Sequence, residues 1–230
     1  SKKQTGTKTK WKPDLDVFTD INVRDEYFQD VLKRQAVVNP NLLFVYRFQK
    51  EDGSFEEKEF IYENGITDYV NEIAAGEKNW SADRVGRDRE DKSEYKVKME
   101  FALTFSNKIK KIEYYHNSSF LEHGGSPERA VKQAFVSQID AYLKQNNKYL
   151  KNEKKITFDD VEDCLILVSS SFSTQTSYEN QTKKAITNKF IYETMTEFLK
   201  HQLEIYFIEN PDEALKIAEQ VMVNKRSREN

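Results

Sequence analysis

Tyr95-Lys96-Val97-Lys98-Met99-Glu100-Phe101-Ala102-Leu103-Thr104-Phe105 sets a large apolar side chain at every second position. Successive side chains of a strand point to opposite faces. Tyr95, Val97, Met99, Phe101, Leu103 and Phe105 therefore make one continuous apolar face, and the residues between them face away. A helix of 3.6-residue period would scatter the same residues around its circumference, so the pattern predicts a strand with one side on a core. A second stretch, Val161 to Phe172, reads as the central strand region; its Leu165-Ile166-Leu167-Val168 is apolar without alternation, as a strand buried on both faces must be.

The rest of the chain arranges itself around these two strands. Ser106-Asn107-Lys108 is a turn, after which Ile109 to Tyr115 is expected to pair back. Before the alternating strand, Ala74 to Ser93 is rich in Gly, Asp, Arg, Glu and Lys and reads as an exposed polar loop. Leu42 to Phe48 and Phe55 to Tyr62 read as a hairpin around Glu51-Asp52-Gly53-Ser54. Helical stripes fall at Tyr27, Phe28, Val31 and Leu32, ending at Asn39-Pro40-Asn41, and at Ile66, Tyr69, Val70 and Ile73. A longer stripe, Val131, Ala134, Phe135, Ile139, Tyr142 and Leu143, follows Gly124-Gly125-Ser126-Pro127, with Ser126 as N-cap and Pro127 as first helical residue. Ile191, Met195, Phe198, Leu199, Leu203, Tyr206 and Phe207 form another, and Ala214, Ala218, Val221 and Met222 a last one after Asn210-Pro211. Gly6 to Trp11 reads as a short strand ending in a turn at Pro13. Lys144 to Lys155 is a solvated connection, and Thr157-Phe158-Asp159-Asp160 a capped short turn. The fold class is α+β. Residues 1–85 form a strand–helix–hairpin–helix segment ending in the polar loop. Residues 86–230 form a core of mixed, mostly antiparallel sheet with helices on one face and long C-terminal helices.

Composition narrows the function classes. The 230 residues are 33% charged and 37% hydrophobic, and the net charge is −3, so any nucleic-acid surface is a local patch rather than a global field. The single cysteine, Cys164, excludes an internal disulfide framework and fits a reducing compartment. No apolar run approaches the roughly 20 residues that span a bilayer, and the polar, basic start has no signal-peptide character. Both ends, Ser1-Lys2-Lys3 and Lys225-Arg226-Ser227-Arg228, look like cut ends of a longer protein.

The candidate chemistry is sparse. Gln181-Thr182-Lys183 follows the central strand on a loop; a lysine and a glutamine two residues apart there can reach one cluster of anionic oxygens, the lysine as a mobile charge and the glutamine as an amide donor. On its own Gln-x-Lys is a commonplace surface pattern. Gly124-Gly125 suits either a phosphate at a helix N-terminus or a tight strand-to-helix turn, and the turn is the simpler reading. Asp159, Asp160, Glu162 and Asp163 suggest paired carboxylates, but a helix N-terminus explains them more simply. His116, His123 and His201 are scattered, and Cys164 sits among apolar residues, so no metal site is expected.

The order of the motifs resembles the B subunit of bacterial type IIA DNA topoisomerases, the gyrase and topoisomerase IV group, and in particular its transducer domain. The residues that carry the likeness are Gly6-Thr7 leading to Trp11-Lys12-Pro13-Asp14, Tyr62-Glu63-Asn64-Gly65-Ile66, Gly124-Gly125, Asp159-Asp160-Val161-Glu162-Asp163-Cys164-Leu165, Gln181-Thr182-Lys183 and Glu209-Asn210-Pro211. Ser126-Pro127 departs from the Thr-His pair of the family and puts any role of that pair in doubt. The resemblance spans roughly residues 6 to 228. It implies a core similar to the second domain of ribosomal protein S5, with the strand of Leu165 to Phe172 inside the sheet. It also implies that Gln181 and Lys183 contact the γ-phosphate of ATP held by a neighbouring ATPase domain. ATP and Mg²⁺ are then cofactors of the full-length parent, an ATP-hydrolysing DNA topoisomerase. The implied partners are the N-terminal ATPase domain and C-terminal DNA-cleavage domains of the same polypeptide, the A subunit, and double-stranded DNA. The implied setting is cytoplasmic, without a membrane. The chain itself carries no catalytic residues of that family and is expected to be a monomer, inactive alone. An independent S5-fold module binding RNA or protein, or the middle domain of a related chaperone or mismatch-repair ATPase, are the alternatives.

Overall fold

In the computed structural model, which describes residues 5–74, 83–92 and 95–229, the alternating stretch is strand β4. The elements run α1 (Asp25–Val38), β1 (Phe44–Gln49), β2 (Phe55–Phe60), α2 (Ile66–Ile73), β3 (Asp83–Lys92), β4 (Tyr95–Phe105), β5 (Lys111–His116), β6 (Ser119–Phe120), α3 (Ser126–Gln145), α4 (Phe158–Glu162), β7 (Leu165–Ser173), α5 (Lys189–Glu209) and α6 (Pro211–Glu229). The main sheet has the order β3-β4-β7-β5-β6, and β1 and β2 form a hairpin apart from it. β7 is antiparallel to β4 and parallel to β5. The sheet is thus mixed and mostly antiparallel, with the long apolar run at its centre, as the sequence implied.

Val97, Met99, Phe101, Leu103 and Phe105 of β4 enter the larger core with Leu165 and Leu167 of β7, Val131, Phe135 and Ile139 of α3, and Met195, Phe198 and Leu203 of α5. The opposite face is also covered. Ala102, Tyr115, Ile166 and Val168 pack against Ile66, Tyr69 and Val70 of α2 and Val37 and Val38 at the end of α1. The N-terminal extension therefore supplies the second layer that lets β7 be apolar on both sides. Buried Glu113 joins the two parts, accepting hydrogen bonds from Tyr69 of α2 at 3.0 Å and from Tyr115 at 2.8 Å. α1 lies on the hairpin, where Phe28 stacks on Tyr46 and the Tyr46 hydroxyl donates to Asp25.

Four expectations need correction. Ile109–Tyr115 does not pair with β4: β7 lies between them. An apolar strand at the sheet centre needs a neighbour on each edge, and residues 106–110 cross the resulting gap of about 10 Å, two strand spacings. Within the 74–93 segment, residues 83–92 form β3 rather than a loop, antiparallel to β4 at the sheet edge. Edge pairing rests on backbone hydrogen bonds and tolerates a charged sequence, which also discourages pairing with other chains. The remaining 75–82 and 93 lie outside the described residues, and the expected division after residue 85 falls within β3. Gly6–Trp11 forms no strand and is exposed; the turn comes slightly later, where Val17 and Phe18 donate to the carbonyl of Asp14. Finally, α3 starts one residue early. Gly125, at φ 85°, is its cap, and Ser126 and Pro127 are its first two residues. The glycine reaches a backbone conformation closed to serine.

Charged residues tie down the C-terminal helix. Arg226 grips Glu153 with Nε and Nη2, each at 3.0 Å, while the nearly buried Lys225 lies 3.4 Å from the same carboxylate and 2.7 Å from Glu229. The Arg226 hydrogen bonds hold the Glu153 carboxyl down to about 2. Arg228 reaches back to Asp160 and Asp163 beside α4. Asp160 also closes the capping box of α4, accepting from the Thr157 N–H at 2.8 Å and its hydroxyl at 3.1 Å. Asp160→Ala is expected to cost about 1–2 kcal/mol through the lost cap, read as a lower urea midpoint with an unchanged slope.

Candidate functional site

The connection from β7 to α5 is a built projection. Its stem is closed by Thr187 N–H to the Ser177 carbonyl at 2.9 Å, Glu179 N–H to the Ala185 carbonyl at 3.0 Å, and a bridge between Tyr178 and Ile186. At the tip, the Asn180 side chain accepts from the Thr182 N–H at 3.1 Å and from its hydroxyl, and the Asn180 carbonyl accepts from the Lys183 N–H at 3.3 Å. Asparagine at the head of such a turn substitutes a side-chain carbonyl for a backbone one. The turn sets Lys183 at φ 56°. Gln181, Thr182 and Lys183 all stand exposed at this tip.

The two adjacent lysines differ. Lys184 is engaged with Glu122 at 2.6 Å, and that hydrogen bond holds the Glu122 carboxyl below the usual carboxylate range. Lys183 has no carboxylate within ion-pair distance among the described residues; its amine sits 5.6 Å from the centre of the Tyr178 ring. A cation over an aromatic face is attracted by about 0.5–1 kcal/mol at an exposed site. That is enough to bias its direction and too little to hold it against a multiply charged anion.

The stem is clamped to the start of α3. Ser126 N–H donates to the Ile186 carbonyl at 2.8 Å and His123 N–H to the Lys184 carbonyl at 3.0 Å, while Gly125 and Ile186 form a parallel bridge. Ile186 is fully buried in the main core. A Cβ on Gly125 would lie 2.2 Å from the Ile186 oxygen, so this approach needs glycine. The glycine pair and the Gln-Thr-Lys tripeptide, read apart in the sequence, are here one unit: the turn holds the loop. Residue patterns did not single out Asn180 and Tyr178, although asparagine two residues ahead of threonine is a recognisable local turn signal.

The other candidates resolve structurally. Asp160 closes the capping box of α4, Asp159, Asp160 and Asp163 pair with Arg228, and Lys110 lies 2.9 Å from Asp163 and 3.8 Å from Glu162. His116 is buried, while His123 and His201 are exposed and far apart in sequence. Burial pushes the Cys164 thiol up to about 12. No three His, Cys, Asp or Glu side chains converge on a metal-sized space among the described residues. No helix there is long and apolar enough to cross a membrane.

The layered mixed sheet, its N-terminal hairpin and its long terminal helices share their fold with solved topoisomerase IV and gyrase B structures. The topoisomerase IV ATP binding domain of Francisella tularensis, solved with a small-molecule inhibitor, superposes with a TM-score of 0.70 at 23% identity over 95% of this chain and 57% of that one. The 43K ATPase domain of Thermus thermophilus gyrase B, solved with an aminocoumarin, does so with a TM-score of 0.66 at 20% identity over the same shares. The chain belongs to the DNA gyrase B family, whose pattern matches residues 65–230. The DNA gyrase B protein of Metamycoplasma arthritidis is 28% identical over 237 residues, and that of Spiroplasma citri 28% over 239. Each alignment covers 99% of this chain and 36% of the relative, so the chain spans about a third of the length of these relatives.

Proposed function

We propose that this chain is the coupling part of the gyrase B-type component of an ATP-dependent type II DNA topoisomerase, and that the tip at Gln181 and Lys183 reads the terminal phosphate of ATP. The observation that carries the reading is exposed Lys183, without a carboxylate partner among the described residues, two residues from exposed Gln181 on a hydrogen-bonded turn. An ammonium and an amide two residues apart fit the oxygens of a γ-phosphate: one supplies charge, the other directed hydrogen bonds. The nucleotide and its Mg²⁺ are assigned to a neighbouring ATP-binding domain of the parent, because the tip offers donors and no cluster of carboxylates.

In this reading the tip is held in place from below. The stem is bonded to the start of α3 and leads directly into α5, so a pull on the tip is delivered to the helical layer rather than absorbed by a slack loop. Loss of the γ-phosphate on hydrolysis releases that pull, and the helical layer is free to shift. This is a switch between two arrangements of packed elements. The parent's partners are then the A subunit and duplex DNA in the cytoplasm, and the chain by itself is a monomer that neither hydrolyses ATP nor cleaves DNA.

The test is amide hydrogen exchange in the full-length parent. An ATP analogue with an uncleavable β–γ bond is expected to slow exchange at Gln181–Lys183 by about tenfold, the effect of one added hydrogen bond on local opening. ADP is expected to leave these amides unchanged. Equal protection by both nucleotides, or by neither, would remove the γ-phosphate role.

A further inference from the structure

We propose that His116 is the positioning residue for the Gln181–Lys183 tip, acting through Thr176 at the root of the loop. This rests on the reading that the tip meets a phosphate.

His116 ends β5 with its side chain fully buried. Nδ1 lies 2.8 Å from the Ser171 hydroxyl; Nε2 lies 3.0 Å from the Thr176 hydroxyl and 3.2 Å from that of Ser173. One arrangement of protons that meets these contacts puts the ring hydrogen on Nδ1. In it Ser171 donates to the Tyr115 carbonyl at 3.3 Å and accepts from Nδ1–H. Ser173 donates to the Gln175 carbonyl at 2.8 Å and Thr176 accepts from the Asn117 amide at 3.0 Å; the Thr176 hydroxyl lies 3.0 Å from Nε2 and 2.9 Å from the Ser173 hydroxyl and can donate to either. The neutral ring thus joins three segments: β5 through its own backbone, β7 through Ser171 and Ser173, and the start of the loop through Thr176.

The joint reaches the tip by a short route. Ser177, next to Thr176, accepts from Thr187 across the stem and donates its N–H to the Asn188 side chain at 2.7 Å, the cap position of α5. Asn117, at φ 47°, closes the same knot: its side-chain oxygen accepts from the Ser173 N–H at 3.1 Å. The clamp at Gly125 fixes the descending side of the projection, and His116 fixes the ascending side.

The same geometry makes the joint sensitive to acid. The polar groups facing the ring are hydroxyls from β7 and the loop root, together with the Asn117 amide. Among the described residues no charged side chain sets its proton affinity; burial alone lowers it, from 6.5 to about 4. A proton on Nε2 turns this nitrogen from acceptor to donor, so the hydroxyl hydrogens of Thr176 and Ser173 must be redistributed around a buried charge. Because the folded value lies below the unfolded one, the neutral ring's contribution is complete above about pH 6.5 and is lost as pH falls through about 4.

The test uses this chain for exchange and the full-length parent for hydrolysis. His116→Ala and the near-isosteric Thr176→Val are each expected to speed amide exchange across residues 177–187 by about tenfold, as for one lost hydrogen bond, with α3 and α5 core amides unmoved. If His116→Ala fails to fold, Thr176→Val alone carries this comparison. In the native chain the same amides should lose protection between pH 6.5 and 4, after correction for intrinsic rates. His116→Gln should abolish that pH dependence. Exchange equal to native in Thr176→Val, or a pH profile retained in His116→Gln, overturns the proposal. The phosphate reading fails separately, if Lys183→Ala leaves hydrolysis by the parent unchanged. In that case the exchange data still show whether His116 sets the loop.

Discussion

Lys183→Ala in the full-length parent is expected to lower ATP hydrolysis at saturating nucleotide by about 10²-fold or more, the usual result of deleting one preorganised group aimed at developing charge. The native fold gives little ground for a structural explanation of such a loss. Lys183 is exposed, and its one described side-chain contact is the Tyr178 ring. A surface change of this kind normally moves stability by no more than about 0.5 kcal/mol, so the melting temperature should stay put. The split between constants is informative. A contact that strengthens as the β–γ bond breaks lowers kcat, whereas one made equally to bound ATP raises KM with kcat unchanged. Lys184→Ala is the matched control one residue away. Its amine is already engaged by Glu122, so hydrolysis should fall far less. A Lys183→Ala rate within twofold of native, or an equal loss in both variants, would show that charge at this tip is not read specifically.

The fold was legible where the side-chain period and the structural role agree. β4 alternates because one face meets α3 and α5 and the other meets α2 through its smallest residue, Ala102. α2 and α5 follow their patterns because each buries one face, and the hairpin follows its turn signal although most of its residues are exposed. β3 was hidden, since an edge strand held by backbone pairing needs no apolar sequence. The β4–β7–β5 order was hidden as well: a short link suggests a hairpin, and only the demand of β7 for two neighbours opens that hairpin to admit it. Of the proposed site, part could be read from the sequence. Gln181 and Lys183 came from the resemblance, and Asn180 carries a local turn signal. The knot around His116 joins residues 55 to 60 positions apart, and no local pattern reports a contact that distant in sequence.

Gly125→Ala should damage function from a position that no ligand touches. At φ 85° an added Cβ is strained whatever its surroundings, and here it would stand 2.2 Å from the Ile186 oxygen and 2.9 Å from its nitrogen. One side must move. The start of α3 is fixed by buried Ser126, Pro127, Ala130 and Val131, so the displacement falls on the loop stem. The hydrogen bonds from Ser126 and His123 to that stem then break. Backbone strain of about 1–3 kcal/mol at φ 85°, ψ −126° and two lost hydrogen bonds of about 1 kcal/mol each give an expected destabilisation of about 3–5 kcal/mol. The tip moves with the stem, and a displacement near 1 Å in a reacting constellation costs about 10²-fold in rate. Hydrolysis by the parent should therefore fall about as far as in Lys183→Ala, with every residue of the tip intact. Gly53→Ala separates the two causes. Its φ is 82°, but its Cβ would meet nothing within 4 Å, so it carries the backbone strain without the collision and should lose about 1 kcal/mol while hydrolysing ATP normally. Were Gly125→Ala to behave like Gly53→Ala, keeping both hydrolysis and exchange protection across residues 177–187, the tip would have to be held by something other than its seat on the start of α3.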